Sequence, residues 1–242
     1  MTPGIEHAKQ SYPFWTYLDL VIFAALALPS MIGGAVLMEL LKLAVPRLPA
    51  AQLMLPAQFL GYGFWFLCLY IMLKTRYGRP FWPSLRFTFP APGFWVSFCC
   101  GPMLAMIVSA LGIALRAPVI ELPFRDLLSS RFSIALLGIF ITTLGPLCEE
   151  LAFRGFLLPL LTRSRGGALG IFLTAMPFAL LHGAQYRWSW QVLVLVLLAG
   201  IVFGWVRYRT GSTASAAAIH ATYNLTFFGV FLLQKFILVE RY

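Results

Sequence analysis

The chain is 242 residues long, with 60% hydrophobic and 11% charged residues, a formal net charge of +10 and a mean hydropathy of +0.84. So apolar a composition excludes an ordinary soluble domain and indicates a polytopic membrane protein. The positive charge does not indicate nucleic acid, because Lys and Arg fall in short connections between apolar runs, where they act as headgroup contacts and topology signals.

A spanning helix needs about 20 apolar residues, and several such windows follow one another with short polar links, so one all-α bundle of about seven transmembrane helices, possibly with an eighth segment, is expected over 1–242. The arm Met1–Phe14 carries Glu6, His7, Lys9 and two prolines and lacks the pattern of a cleaved signal peptide. The first span is read at Tyr17–Leu41, with Pro29 and Gly33-Gly34 permitting a kink or a close neighbour. Glu39 and Lys42 near its far end read as an interfacial pair whose side chains reach water. The second span, Leu53–Leu73, is rich in aromatic residues of the packing and interfacial kind. Lys74–Pro92 reads as a basic, irregular, acid-free connection facing anionic headgroups. A third span follows at Phe94–Leu115, then a link from Arg116 to Arg131 with the pattern of a short surface helix.

The fourth run, Phe132–Leu161, is longer than one crossing requires, and Gly145-Pro146 sits in its middle. Proline there removes a backbone hydrogen bond and bends the helix one turn before Glu149. A basic turn at Arg163–Gly167 leads to a fifth, shorter run, Ala168–Leu181. The sixth span is Trp190–Val206, and the small residues Ser212–Ala218 open the seventh, which ends near Leu233. Nine Lys or Arg lie on the side of the N-terminus and eight on the other. The count alone does not orient the chain, but the acid-free clusters Lys74–Arg86 and Arg163–Arg165 point to a cytoplasmic N-terminus. Cys68, Cys99, Cys100 and Cys148 lie in or beside apolar spans without CxxC spacing, so disulfides and a cysteine-rich metal site are not expected.

Chemistry concentrates in the fourth run. Leu147-Cys148-Glu149-Glu150-Leu151-Ala152-Phe153-Arg154-Gly155 sets two carboxylates and a guanidinium among apolar residues. Each such charge costs about 2.5–3.5 kcal/mol near a bilayer centre, so intramembrane charges pair, face water and carry function. Glu150 and Arg154, four apart, share a helical face and can pair, whereas Glu149 points about 100° away and is left for chemistry. Apart from His7, the histidines lie in apolar segments. Phe178 and His182 are four apart, as are His220 and Asn224, so each pair shares a face. Glu149, His182, His220 and Asn224 can therefore converge from three helices. A purely structural ion pair and a proton-coupled carrier are the competing readings of such charges. The carrier also lacks the repeat symmetry common in transporters.

The run Glu149-Glu150-x-x-x-Arg154, then Phe178-x-x-x-His182, then His220-x-x-x-Asn224, in that order on successive apolar segments, resembles the CPBP intramembrane proteases. That family includes the CAAX prenyl endopeptidases and bacteriocin-immunity proteins. All three motifs are intact, and the resemblance covers 132–233 as a protease core. It implies an intramembrane endopeptidase in which Glu149 and His182 activate a water, while His220 and Asn224 bind the developing oxyanion. Glu150, Arg154 and Phe178 are then substrate-binding or site-shaping residues.

The resemblance leaves zinc open. Glu149, His182 and His220 are a possible ligand set, with Glu150 as base. A metal-free mechanism using the same residues is preferred, since there is no HExxH and the ligands come from three helices. Cys148 reads as packing, and no G-x-S-x-G is present. The implied partner is a hydrophobic peptide or protein, prenylated or otherwise lipid-modified, in a membrane expected to be a bacterial inner membrane. The same motifs also suit a non-catalytic peptide-binding or immunity protein.

Overall fold

The computed structural model describes residues 12–44, 50–89, 91, 93–120 and 130–235. Among them the chain is helical, without a strand. Six helices are long and apolar enough to cross a membrane, and Gly167–Leu181 is a shorter apolar one, so the expected multi-pass bundle is what forms. The helices are α1 (Tyr17–Ala44), α2 (Ala50–Tyr77), α3 (Phe81–Ser84), α4 (Phe94–Ala114), α5 (Arg131–Ile139), α6 (Gly145–Glu150), α7 (Leu158–Arg165), α8 (Gly167–Leu181), α9 (Trp190–Thr210) and α10 (Thr213–Leu233). Two π-helical segments, Phe140–Leu144 and Leu151–Leu157, join α5, α6 and α7 into one continuous crossing.

The hydrophobic effect does not drive one lipid-facing helix onto another, so these helices meet where small residues admit close backbone approach. A Cβ on Gly34 would lie 2.6 Å from the backbone nitrogen of Gly61, which fixes α1 against α2. On Gly101 it would lie 2.7 Å from both the carbonyl oxygen of Ile219 and the nitrogen of Tyr223, which fixes α4 against α10. The close approach expected at Gly33-Gly34 is thus made by Gly34, while Gly33 faces the edge of Phe64 at 3.6 Å.

The connection read as irregular is partly helical: α2 continues to Tyr77, and a single turn, α3, follows Pro80. Pro80 and Pro83 allow this because a proline is tolerated where no intrahelical donor is needed. Lys42 and Glu39 pair at 3.9 Å with both side chains exposed, the expected interfacial pair. Arg125 and Asp126 of the expected surface helix lie outside the described residues.

One end of the bundle is tied to the N-terminal arm. Trp15 is buried, stacks on Phe156 at 5.0 Å and donates its indole N–H to the Phe156 carbonyl at 3.0 Å. Arg163 donates to the Pro13 carbonyl at 2.8 Å. These contacts hold the crossing that carries Glu149 and Glu150 against α1 and α2, with Phe23, Leu69, Leu73 and Leu85 filling the space between.

Candidate active site

The crossing 131–165 does not keep a uniform α pattern around its charged motif. Pro146 lacks an N–H to donate back along the helix, and the preceding turn, Phe140–Leu144, is π-helical. A second π segment begins directly after Glu150. The expected simple proline bend is therefore a short α turn, α6, framed by two wider ones. Both carboxylates sit at its end.

Their environments differ sharply. The Glu149 side chain is 25% exposed, whereas those of Glu150 and Arg154 are fully enclosed. Arg154 donates from Nη1 to Glu150 Oε1 at 2.9 Å and from Nη2 to the Gly200 carbonyl on α9 at 2.8 Å. Its guanidinium also lies over the ring of Phe178, 4.4 Å from the centroid, and 5.4 Å from that of Phe203. Carboxylate, carbonyl and aromatic faces replace part of the water that the buried cation has lost, while its Nε is buried without a hydrogen-bond partner.

Glu150 has a second partner. His220 Nδ1 lies 2.9 Å from Glu150 Oε1, and His220 Nε2 lies 3.8 Å from Glu149 Oε2. A carboxylate ionised beside Arg154 can only accept, so Nδ1 carries a hydrogen and donates to Glu150. That fixes the imidazole orientation and turns Nε2 towards Glu149. The ring of Phe203 stacks on His220 with centroids 4.4 Å apart and planes 19° apart, closing its other face.

His182 caps α8, and its Nδ1 lies 2.8 Å from the Phe178 carbonyl one turn back. The carbonyl accepts, so Nδ1 holds a hydrogen and Nε2 is the ring nitrogen left for another partner. Phe178 is buried between the two imidazoles, its ring 4.8 Å from that of His182 and 5.9 Å from that of His220. Asn224 donates through Nδ2 to the Ile141 carbonyl at 2.8 Å, inside the first π segment. The structure thus brings Glu149, Glu150, Arg154, Phe178 and His220 into one connected cluster. His182 joins through Phe178, and Asn224 is tied to the same crossing one turn along α10 from His220.

Gly200, Phe203 and Tyr186 are parts of the site that the motifs did not reveal. Gly200 and Phe203 lie in an all-apolar stretch of α9 and carry no chemical signature. Their one signal was the spacing of Ala199, Gly200, Phe203 and Gly204 along one helical face. Tyr186 lies in the turn after His182, stacked nearly parallel to it with centroids 6.3 Å apart. Burial first, and then the charge of Glu149, push its phenol above the ordinary value of 10.0.

Among the described residues no group of three His, Cys, Asp or Glu side chains gathers as metal ligands. Glu149, His182 and His220 are thus not gathered as one ligand group in this arrangement, and no step below is routed through zinc. Cys148 is a free thiol, as are the other three cysteines.

Residues 131–226 match the family model described as type II CAAX prenyl endopeptidase Rce1-like. The matched segment contains all seven residues singled out above. No curated protein and no solved structure matches the chain.

Proposed function

From the match of residues 131–226 to the Rce1-like type II CAAX prenyl endopeptidases, we propose that the chain is a CPBP-type intramembrane protease that cleaves lipid-modified, CAAX-like peptides with a water activated by Glu149 and His182. The observation that carries this reading is the unequal treatment of two adjacent carboxylates. Glu150 is sealed, with its Oε1 shared by Arg154 and His220, while Glu149 is a quarter exposed beside His220 Nε2.

Water held between the Glu149 carboxylate and His182 Nε2 loses a proton to that pair as its oxygen attacks the scissile carbonyl carbon. The carbonyl π electrons move to oxygen and give a tetrahedral oxyanion. Protonated His220 donates Nε2–H to this oxygen, and its positive charge is matched by Glu150 at Nδ1. The Asn224 amide hydrogen not used on Ile141 is the second donor. Preorganised donors in a site shielded from water are each worth about 2.7–4 kcal/mol. The C–N bond then breaks, and the departing amine takes the proton held by Glu149 and His182. Phe178 shapes the wall between the two imidazoles.

The test is cleavage of a farnesylated CAAX peptide by the full chain in proteoliposomes. Wild-type protein is expected to release a C-terminal fragment, and Glu149→Gln to cleave at least about 100-fold more slowly while still folding. Undiminished cleavage by Glu149→Gln sinks the mechanism. Wild-type protein that binds the peptide without cutting it would favour the non-catalytic binding reading.

A further inference from the structure

The end of the bundle tied to the N-terminal arm carries a buried cation that the protease chemistry does not use. Arg207, in the last turn of α9, is only 7% exposed. Its Nε donates to Thr213 Oγ1 and its Nη2 to the Tyr12 hydroxyl, both at 3.0 Å. Neither partner is charged. Arg86 lies on the other side of Tyr12, its guanidinium carbon 4.5 Å from the ring centroid. The backbone of Arg86 is held at a left-handed φ of 53° while its carbonyl accepts from the Thr213 N–H at 3.0 Å. Thr213 Oγ1 in turn donates to the Leu85 carbonyl at 2.6 Å. Thr213 thus locks both arginines to the start of α10.

Two guanidinium groups flank one phenol, with no carboxylate of the described residues between them. At this end Asp19 is the one acid among the described residues, and it is already paired with Arg76 at 2.8 Å. A largely buried arginine without an anion is costly, and guanidinium forks match phosphate oxygens in geometry as well as charge. The basic runs Lys74–Arg86 and Arg163–Arg165 share this end, so the local field favours an anion that is abundant at a membrane surface.

We propose that Arg86 and Arg207, bracketing Tyr12, form a phosphate-binding site that holds the headgroup of an anionic phospholipid against the ends of α9 and α10. The site lies apart from the Glu149 cluster and does not depend on the proposed protease mechanism. The phosphate comes from lipid rather than solution, because the site is set at the end of a membrane-spanning helix.

The experiment is native mass spectrometry of the full chain released from nanodiscs of phosphatidylcholine and phosphatidylglycerol, with and without excess inorganic phosphate. Wild-type protein is expected to retain phosphatidylglycerol in preference to phosphatidylcholine. Arg86→Gln, whose side chain is exposed, is expected to weaken retention about fivefold, as the loss of one basic contact at a membrane surface implies. Lys42→Gln, at the opposite membrane face, serves as the control and is expected to change nothing. Equal retention of both lipids, or equal losses in the two variants, overturns the site. Displacement of the lipid by inorganic phosphate overturns the lipid as its occupant. Tyr12→Phe, which removes only a hydroxyl, is expected to weaken retention as well, so a folding failure of any Arg207 variant leaves the test decisive.

Discussion

His220 and Phe203 stand face to face, 4.4 Å between centroids and 19° from parallel, so the imidazole cannot tip away from the carboxylates on its edge. An aromatic pair of this kind is worth about 0.5–1.5 kcal/mol beyond its buried area. Phe203→Leu keeps an apolar filler but removes the flat support. It is expected to lower kcat up to about tenfold with KM little changed, as measured by peptide cleavage in proteoliposomes. A change confined to KM would show that Phe203 acts on substrate rather than through His220.

The two adjacent glutamates are expected to fail in different ways. Glu149→Gln removes a group that is part-exposed and pairs only loosely, so it should leave the unfolding temperature in detergent nearly unchanged while lowering kcat at least about 100-fold, the usual lower range for a lost acid–base group. Glu150→Gln strips the counter-charge from a fully enclosed arginine. Breaking a buried pair from one side costs about 3–5 kcal/mol, so this variant should unfold measurably earlier. Equal unfolding temperatures for the two variants would contradict the assignment.

Gly101 is the point at which α10 leans on α4. A methyl group there would meet backbone atoms of Ile219 and Tyr223 at 2.7 Å, and backbone cannot rotate out of the way. Gly101→Ala is expected to force α10 outward, destabilising the protein by about 1–3 kcal/mol and displacing His220, which lies between those two contacts. Circular-dichroism melting alongside cleavage assays checks both effects. Gly63→Ala, where a Cβ meets nothing within 4 Å, is the matched control and should be silent.

Tyr186 offers a test by pH. Burial and the charge of Glu149 raise its phenol above 10.0, so the folded protein holds this proton more tightly than the unfolded chain does. Its contribution to stability is complete below pH 10 and is lost as pH rises past that value. Tyr186→Phe should therefore flatten the alkaline fall in stability, and any effect on cleavage should be the same across the neutral range. A cleavage effect that varies between pH 6 and pH 8 would implicate another group.

Chelation addresses the three-ligand alternative. With Glu149, His182 and His220 not gathered as ligands, cleavage is expected to survive exhaustive treatment with a strong chelator. Activity lost on chelation and restored by zinc would require those three side chains to close together.

Much of the bundle was legible because crossing a bilayer demands long apolar runs, and runs such as Phe94–Ala114 and Trp190–Thr210 show themselves without tertiary information. The pairing of Glu150 with Arg154 was legible from their spacing, although it forms where α6 passes into a π segment rather than on a regular helix. What spacing could not reveal was the hold of Glu150 on His220, which joins positions 70 residues apart. Nor could it reveal Gly200 and Phe203, whose part in the site depends on where α9 falls against its neighbours. Glycine and phenylalanine in a membrane helix are unremarkable until a cation and an imidazole are known to lie beside them.

The two π segments give the charged motif a rotational phase of its own. Each wide turn accommodates residues that a regular helix would carry further round the axis, so Glu149 is aimed by its insertions as well as by its neighbours. Removing one residue between Phe140 and Leu144 would leave every motif letter for letter intact, yet turn the carboxylates by about 100° relative to α5. Two chains with the same signature can therefore differ by a single missing residue upstream and have their glutamates facing lipid instead of His220.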